Sequence, residues 1–178
     1  GTLNAANMYL GFGDSDAHGK FNISGGTATI SGVLGIGQAG YGTVLISCTS
    51  PVLDVNQLKI PNWIGPGQLT IWGGTVKAKT LQFNPLGTSL GHNITITEGS
   101  LVLDGNQISN VQTWISNGWI TPYSGSPAYC YYDYNVTNAG KTTVRATPGS
   151  VGWNNAVGGN LWSTTGNWNP TVCPSSLD

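Results

Sequence analysis

Short apolar runs alternate with polar clusters along residues 9–103, and the same order of three runs occurs four times. Within each run the apolar residues occupy every second position, which is the period of a β-strand with one buried face. The second runs of the four copies begin at Phe21, Val44, Leu69 and Ile94, so they lie 23 to 25 residues apart. A constant period of this length indicates stacked structural repeats.

A strand of three residues with one apolar face is not stable alone, but stacked copies about 4.8 Å apart pair their backbones and bury a common ladder. Three runs per copy predict three parallel faces. The sequence therefore predicts an all-β fold, a single-stranded parallel β-helix with three short strands in each coil of about 24 residues. Right-handed crossovers dominate in proteins, so we expect a right-handed coil.

The charged residues of the repeats also follow this stacking. In the predicted register Lys77 lies beside Asp54, and Lys79 lies beside Asp104. We expect two cross-coil ion pairs on an outer face, each worth about 0–1 kcal/mol.

The repeat ends after Leu103, where residues 106–118 change to a helical spacing. Ile108, Val111 and Ile115 lie on one helical face, and Gly118 is placed as the residue that ends the helix. A short amphipathic helix of this kind closes the exposed end of a solenoid.

A β-hairpin and a tail follow this helix. The hairpin is predicted from residues 129–136 and 141–146 around a turn at 137–140, and its alternating tyrosines favour cross-strand packing over a sugar-binding platform. The chain is thus divided into coils (1–104), a capping helix with the hairpin (105–148), and a tail rich in Trp, Gly and Asn (149–178). We expect the tail to pack its tryptophans (Trp153, Trp162 and Trp168) on the domain and to lead into a linker.

Composition restricts the function. Charged residues make up only 7% of the chain and the net charge is −1, which gives no electrostatic reason to expect nucleic acid or an anionic membrane as a partner. No apolar run approaches the roughly 20 residues needed to span a bilayer. We expect a secreted, extracellular protein whose signal peptide has been removed or lies outside this sequence.

The cysteines and the acidic turn have structural explanations. Cys48, Cys130 and Cys173 allow at most one disulfide; Cys130 with Cys173 is favoured, and Cys48 is interpreted as a small corner residue. Asp14 and Asp16, with a nearby histidine, resemble a metal site in composition, but an Asx-type turn is favoured. We therefore expect no metal and no cofactor.

Surplus aromatic residues are the candidate chemistry. Trp63 lies in a loop stiffened by prolines, and Trp72 follows Ile71, so strand alternation points it outwards beside hydroxyl-bearing neighbours. An equally good interpretation is that Trp72 covers a corner of the solenoid or packs under the C-terminal segment. Flat rings beside hydrogen-bonding groups suit the apolar face of a sugar. The candidate carbohydrate-binding residues are Trp63, Trp72, Trp119, Tyr123, Thr70 and Thr97.

Residues 34–38 and 23–27 resemble the β-solenoid repeats of large secreted bacterial proteins. Residues 115–121 and 133–144 are similar to the closing region of such modules in multimodular surface and polysaccharide-degrading proteins, especially of planctomycete-like bacteria. The resemblance covers residues 9–147 and extends to β-helical carbohydrate-binding modules attached to xylan-degrading enzymes. It implies binding to plant polysaccharide and assigns no contact residues.

Three classes of function follow. The first is a non-catalytic carbohydrate-binding module that targets a tethered catalytic module to xylan or a related β-glycan. The second is a structural or adhesive solenoid segment of a surface protein. The third is a β-helical lyase or hydrolase, which needs a pair of carboxylates or a base with a clamp; Asp14 and Asp16 are the only close acidic pair. The first is favoured, and we expect no enzymatic activity.

Overall fold

A computed structural model describes residues 1–48, 50–84, 91–122 and 127–146, and the backbone of residues 152–153 and 168–169. Its one helix in these parts is α1 (Ile108–Ser116), and a 3-10 turn spans Pro127–Tyr129. The strands are β1 (Thr2–Ala5), β2 (Met8–Leu10), β3 (His18–Ile23), β4 (Thr27–Ile36), β5 (Tyr41–Ile46), β6 (Val52–Lys59), β7 (Gly67–Ile71), β8 (Thr75–Gln82), β9 (Asn93–Ile96), β10 (Ser100–Asp104), β11 (Ile120–Pro122), β12 (Cys130–Tyr134), β13 (Lys141–Ala146), β14 (Gly152–Trp153) and β15 (Trp168–Asn169).

The strands form the three faces of a parallel β-helix, which confirms the fold predicted from the repeats. The first face contains β2 and the second halves of β4, β6 and β8. The second face contains β3, β5, β7, β9 and β11. The third face contains β1, the first halves of β4, β6 and β8, and β10. We number the coils from the first face: coil one begins at residue 8, coil two at 33, coil three at 57 and coil four at 80.

One long strand serves two faces because it bends. In β4 the register shifts between Ile30 and Val33. At this bend the side-chain oxygen of Asn7 accepts a hydrogen bond of 2.8 Å from the backbone N–H of Val33. A side chain that lies just before coil one thereby fixes the corner at which coil two begins.

Apolar ladders fill the interior, as the alternation of the runs predicts. On the second face Val44, Leu69 and Ile94 are stacked in register, and the next inward ladder contains Ile46, Ile71 and Ile96. All six side chains are buried. Each coil adds the same kind of rung, so the core is continuous along the solenoid.

The cap contains the predicted helix and hairpin. Val111 and Ile115 of α1 are buried, and the helix ends in a Schellman motif: Gly118 has φ of 72°, and the N–H of Trp119 donates to the carbonyl of Trp114. Strand β13 then pairs antiparallel with β10 and with β12. The parallel ladder of the third face therefore ends at an antiparallel strand.

The residues before coil one form strand β1, which pairs with β4 on the third face. Two predictions about charged pairs need correction. Asp54 and Lys77 are in register, yet among the described residues no ion pair joins them. Asp104 pairs with Lys141 of the cap rather than with Lys79, because β13 lies directly beside β10.

The cysteine and turn predictions have different outcomes. Cys130 is half-buried, and burial raises the pKa of its thiol. Its predicted disulfide with Cys173 stays a prediction, because Cys173 lies outside the described residues. Cys48 is an exposed corner residue with φ of 73°. The Asx-type turn is confirmed, since the Asp14 carboxylate accepts the N–H of Asp16 at 3.1 Å.

The tail is described only as a backbone pairing of β14 with β15. The predicted packing of its tryptophans on the domain lies outside the described side chains.

Candidate functional site

Two corners of the solenoid carry exposed tryptophans. The two residues flank strand β7 of the second face: Trp63 lies in the loop before this strand, and Trp72 directly follows it. Their exposed fractions are 52% and 40%. The intervening strand β7 has five residues, which separates the two corners by roughly 17 Å. One short ligand therefore does not contact both rings, and the two positions are separate candidate sites.

Stacked backbone groups build the Trp63 corner. The N–H of Trp63 donates to the carbonyl of Gly37 at 3.3 Å, and the N–H of Ile64 donates to the carbonyl of Gln38 at 2.9 Å. A Cβ added to Gly65 would lie 2.1 Å from the carbonyl oxygen of Gly40, so only glycine permits this close approach. These hydrogen bonds hold the backbone of the loop against coil two, and the side chain of Trp63 is exposed to solvent.

An open groove of about 450 Å³ lies beside this corner, between coil three and the cap. This volume is within the range of small-ligand sites. Lys59 is the only charged residue among its described lining residues. The groove is lined by Lys59, Pro61, Asn62, Leu81, Gln82, Phe83, Asn84, Asn110 and Trp114. It combines a tryptophan with four side-chain amides.

Some polar groups of the groove are available to a ligand. Within the described parts of the chain, the side chains of Lys59, Asn62 and Gln82 have no hydrogen-bonding or ionic partner. Asn84 donates from its side chain to the backbone carbonyl of Trp63 at 3.1 Å, which ties the Trp63 loop to the groove. Amides with unused donors and acceptors suit hydroxyl-rich ligands.

Aromatic rings support the groove from beneath. The ring centroid of Phe83 lies 5.5 Å from Trp114 and 5.3 Å from Trp119. Trp119 is half-buried in this cluster, and its backbone carbonyl accepts the N–H of Ile94 at 2.8 Å. The predicted site residue Trp119 therefore lies behind the groove lining.

The sequence prediction did not include Phe83 and Trp114. Phe83 looked like the end of another apolar run, and Trp114 looked like a neighbour of the buried helical position Ile115. One signal was present: a tryptophan beside the apolar stripe of a capping helix lies where the helix meets the last coil.

The Trp72 corner has a different construction. The N–H of Trp72 donates to the carbonyl of Ile46 at 2.9 Å, and equivalent bonds hold Ser47 and Thr97 in the neighbouring coils, which confirms that Trp72 lies between hydroxyl-bearing residues. The Thr97 hydroxyl is buried and has no hydrogen-bond partner among the described residues. Thr70 is half-buried between Leu45 and Thr95 on the outer surface.

The six predicted site residues are thus not brought into one patch. Trp63 lies beside the groove, Trp119 lies behind it, and Trp72, Thr70 and Thr97 lie towards the opposite corner. Tyr123 lies outside the described residues. Their roles in binding stay predictions.

A second hollow, of about 350 Å³, lies on the third face. Asp54, Lys77, Lys79, Asp104 and Lys141 contribute charges of both signs to it, and none of its described lining residues is aromatic. The carboxylate of Asp104 is held by Lys141 at 2.6 Å. Asp54 and Asp104 are two carboxylates lining one concavity, so this hollow is the position to examine for hydrolysis.

No cluster of three or more His, Cys, Asp or Glu side chains suited to a metal ion occurs in the described ranges. The described part of the chain also contains no helix long and apolar enough to cross a membrane. The chain matches no protein-family model, no curated protein and no solved structure.

Proposed function

We propose that this domain is a non-catalytic carbohydrate-binding module and that its binding site is the groove beside Trp63. The observation that carries the proposal is the combination, in one open groove, of the aromatic ring of Trp114 with side-chain amides and a single charge. Sugars bind through stacking of their apolar faces on such rings and through hydrogen bonds from their hydroxyl groups.

The partners in this proposal are neutral polysaccharides. Lys59 is the only described charged residue in the groove, whereas the third-face hollow carries five charged residues. A neutral, hydroxyl-rich chain suits the groove because it needs hydrogen bonds and no charge neutralisation. Xylan and related plant cell-wall β-glycans are the proposed class, and no nucleic acid or membrane is involved.

The module would act by raising the local concentration of a tethered enzyme at an insoluble substrate. An open groove of this size contacts few sugars at once, so the affinity of a single site is modest. Once the module is bound to the polysaccharide, the tethered enzyme meets its substrate at a high effective concentration. Modest affinity is therefore enough to retain the enzyme on the substrate. The proposal therefore includes a secreted protein that also carries a catalytic module.

The first test is affinity electrophoresis of the domain through xylan, β-glucan, mannan and pectin, with parallel incubations assayed for released sugars. We expect retardation by at least one neutral polysaccharide and no product. Trp114→Ala and Asn62→Ala should reduce the retardation. Trp72→Ala is the control, because it also removes a tryptophan ring but at the opposite corner, where Trp72 is exposed.

Other outcomes identify the alternatives. If Trp72→Ala abolishes retardation and Trp114→Ala does not, the site is the second face with Thr70 and Thr97. Release of sugars that Asp54→Asn or Asp104→Asn prevents would establish catalysis in the third-face hollow. No retardation by any of the four polysaccharides would overturn the binding proposal and leave the structural or adhesive solenoid segment as the leading function.

A further inference from the structure

We infer that the groove continues as a strip parallel to the solenoid axis, and that this strip binds an extended β-1,4-linked glycan whose sugars alternate in orientation. The inference rests on the carbohydrate-binding function proposed above, and within the class of plant β-glycans it favours flat, two-fold chains over xylan. We define the axial strip by Phe12, Tyr9, Asn62, Trp63 and Trp114.

The strip is continuous between coil one and coil three. The rings of Tyr9 and Phe12 have centroids 6.4 Å apart, and both side chains are exposed. A Cβ added to Gly35 of coil two would lie 2.8 Å from the Tyr9 ring and 2.7 Å from Cγ of Asn62. The Tyr9 ring and the Asn62 side chain therefore meet over Gly35, where a larger residue would separate them.

The strip continues from coil three to the cap through the groove. Asn62 is itself a lining residue, and the opposite wall is Trp114 of α1. Trp63 is linked to coil four by the hydrogen bond from Asn84 to its backbone carbonyl. One accessible surface thus extends from the first coil to the capping helix.

The aromatic residues that define the strip recur at every second level. The N–H of Gln38 donates to Leu10 of coil one, and the N–H of Trp63 donates to Gly37 of coil two, so each hydrogen bond crosses one coil. Phe12 belongs to coil one and Trp63 to coil three. Trp114 belongs to α1, which directly precedes β11; because β11 pairs with β9 of coil four, α1 takes the first-face position of a fifth coil, next to Phe83 of coil four. Successive aromatic positions are therefore about two strand spacings apart along the axis, roughly 9.6 Å.

This spacing selects a ligand. In a flat, two-fold β-1,4-linked chain, such as a β-glucan or a β-mannan, every second sugar presents the same face, and two sugars advance about as far as two coils. A three-fold xylan chain presents the same face only at every third sugar, and a β-1,3-linked chain curves away from a straight strip. The strip accordingly fits alternate sugars of a two-fold chain on Phe12, Trp63 and Trp114.

The test is isothermal titration of the full chain with cello-, manno- and xylo-oligosaccharides, from disaccharide to hexasaccharide. For a cello- or manno-series we expect the affinity to increase at the trisaccharide and again at the pentasaccharide. Each increase should be roughly three- to tenfold, the worth of one further stacked ring. Phe12→Ala should remove only the second increase, because Phe12 lies at one end of the strip. Trp72→Ala, at the opposite corner, should preserve both.

The outcomes separate the two proposals. Polysaccharide retention with a plateau at the trisaccharide, or with xylo-oligosaccharides bound more tightly than the cello- and manno-series, would overturn the axial arrangement and leave the binding function standing. No binding of any polysaccharide would overturn both. Self-association of the protein that Phe12→Ala abolishes would show that a second copy occupies the strip, which also overturns the inference.

Discussion

The coils and the cap are held together by different kinds of interaction. Parallel backbone pairing and apolar ladders account for the coils, where the side-chain hydrogen bonds of the described residues are few. Both ion pairs of the described residues lie in the cap or at its junction: Lys141 with Asp104 at 2.6 Å, and Arg145 with Asp133 at 3.5 Å. The repeated region needs apolar residues at fixed positions, whereas the cap needs particular polar partners.

The difference follows from chain direction. A new coil repeats the previous one by translation, so its backbone groups pair without help from side chains. The cap reverses the chain, and β13 is antiparallel to β10. At this junction the buried Thr142 hydroxyl accepts the N–H of Gln107 and donates to the carbonyl of Gly105, both at 2.8 Å. Side chains satisfy the backbone groups that the ladder leaves unpaired.

The largest effect should come from the ladder itself. Leu58 is fully buried in coil three, so Leu58→Ala should lower the free energy of unfolding by about 2–5 kcal/mol through lost burial and the cavity left behind. Urea denaturation measures this value. Leu3→Ala, in the exposed strand β1, is the control and should cost much less. Equal losses would contradict a core dominated by the ladder.

A corner glycine should come next. Gly65→Ala brings a Cβ within 2.1 Å of the Gly40 carbonyl oxygen, so we expect a loss of about 1–3 kcal/mol in unfolding free energy. Thermal unfolding followed by circular dichroism tests this. Gly25→Ala is matched to it, because nothing lies within 4 Å of the added atom. Retained stability in Gly65→Ala would show that the stacked backbones can separate without cost.

The Thr142 hydroxyl, where the cap meets the coils, tests whether particular polar partners stabilise the cap. Thr142→Val keeps the shape but leaves the Gln107 N–H and the Gly105 carbonyl without this partner, which should cost about 1–3 kcal/mol. In the coils, Thr80→Val removes an exposed hydrogen bond to Asn56 and should change stability by no more than about 0.5 kcal/mol. Chemical denaturation of both variants should reproduce this order.

The ion pair at the junction should contribute less. Lys141 and Asp104 are each about two-fifths exposed, so Lys141→Ala should cost at most about 1 kcal/mol, and the loss should shrink at high salt. Lys77→Ala is the control from the coils, since Lys77 is in register with Asp54 without forming an ion pair. If Lys141→Ala lost more stability than this, and the loss did not depend on salt, Lys141 would stabilise the fold by packing and not by its charge.

The smallest effect concerns pH. The hydroxyl and N–H of Thr137 donate to the Asp133 carboxylate at 2.6 and 2.9 Å, and these hydrogen bonds lower its pKa from 3.8. A pKa lowered by folding stabilises the folded state above pH 3.8 and loses this contribution as the pH falls through the folded-state pKa. Asp133→Asn should therefore show a shallower fall in melting temperature below that pH. An unchanged slope would contradict the assignment.

The coils could be predicted because one periodic pattern of apolar and polar residues specifies the strands of every coil. The inward ladder through Val44, Leu69 and Ile94 follows from alternation alone, and the capping helix follows from the spacing of Val111 and Ile115. Both predictions need only local periodicity and the requirement that apolar faces be buried.

The groove and the ion pairs could not be predicted in the same way. The groove exists only because Trp114 of the helix faces coil four, which depends on how a non-repeating element docks. The partner of Asp104 was misassigned to Lys79 for the same reason, since the hairpin returns along β10 and brings Lys141 closer. Periodicity gives the contacts between repeats, and it contains no information about contacts with the cap.

The constant rise from coil to coil has an evolutionary consequence. Because every coil pairs with its neighbours in the same way, duplication or loss of one coil between Gly37 and Trp63 would leave the core and the cap intact. It would nevertheless change the separation of Phe12 and Trp63 by one strand spacing, about 4.8 Å. A single duplication or deletion at a repeat boundary would therefore change the length and repeat of the glycan chain that the strip binds. No side chain would need to be substituted.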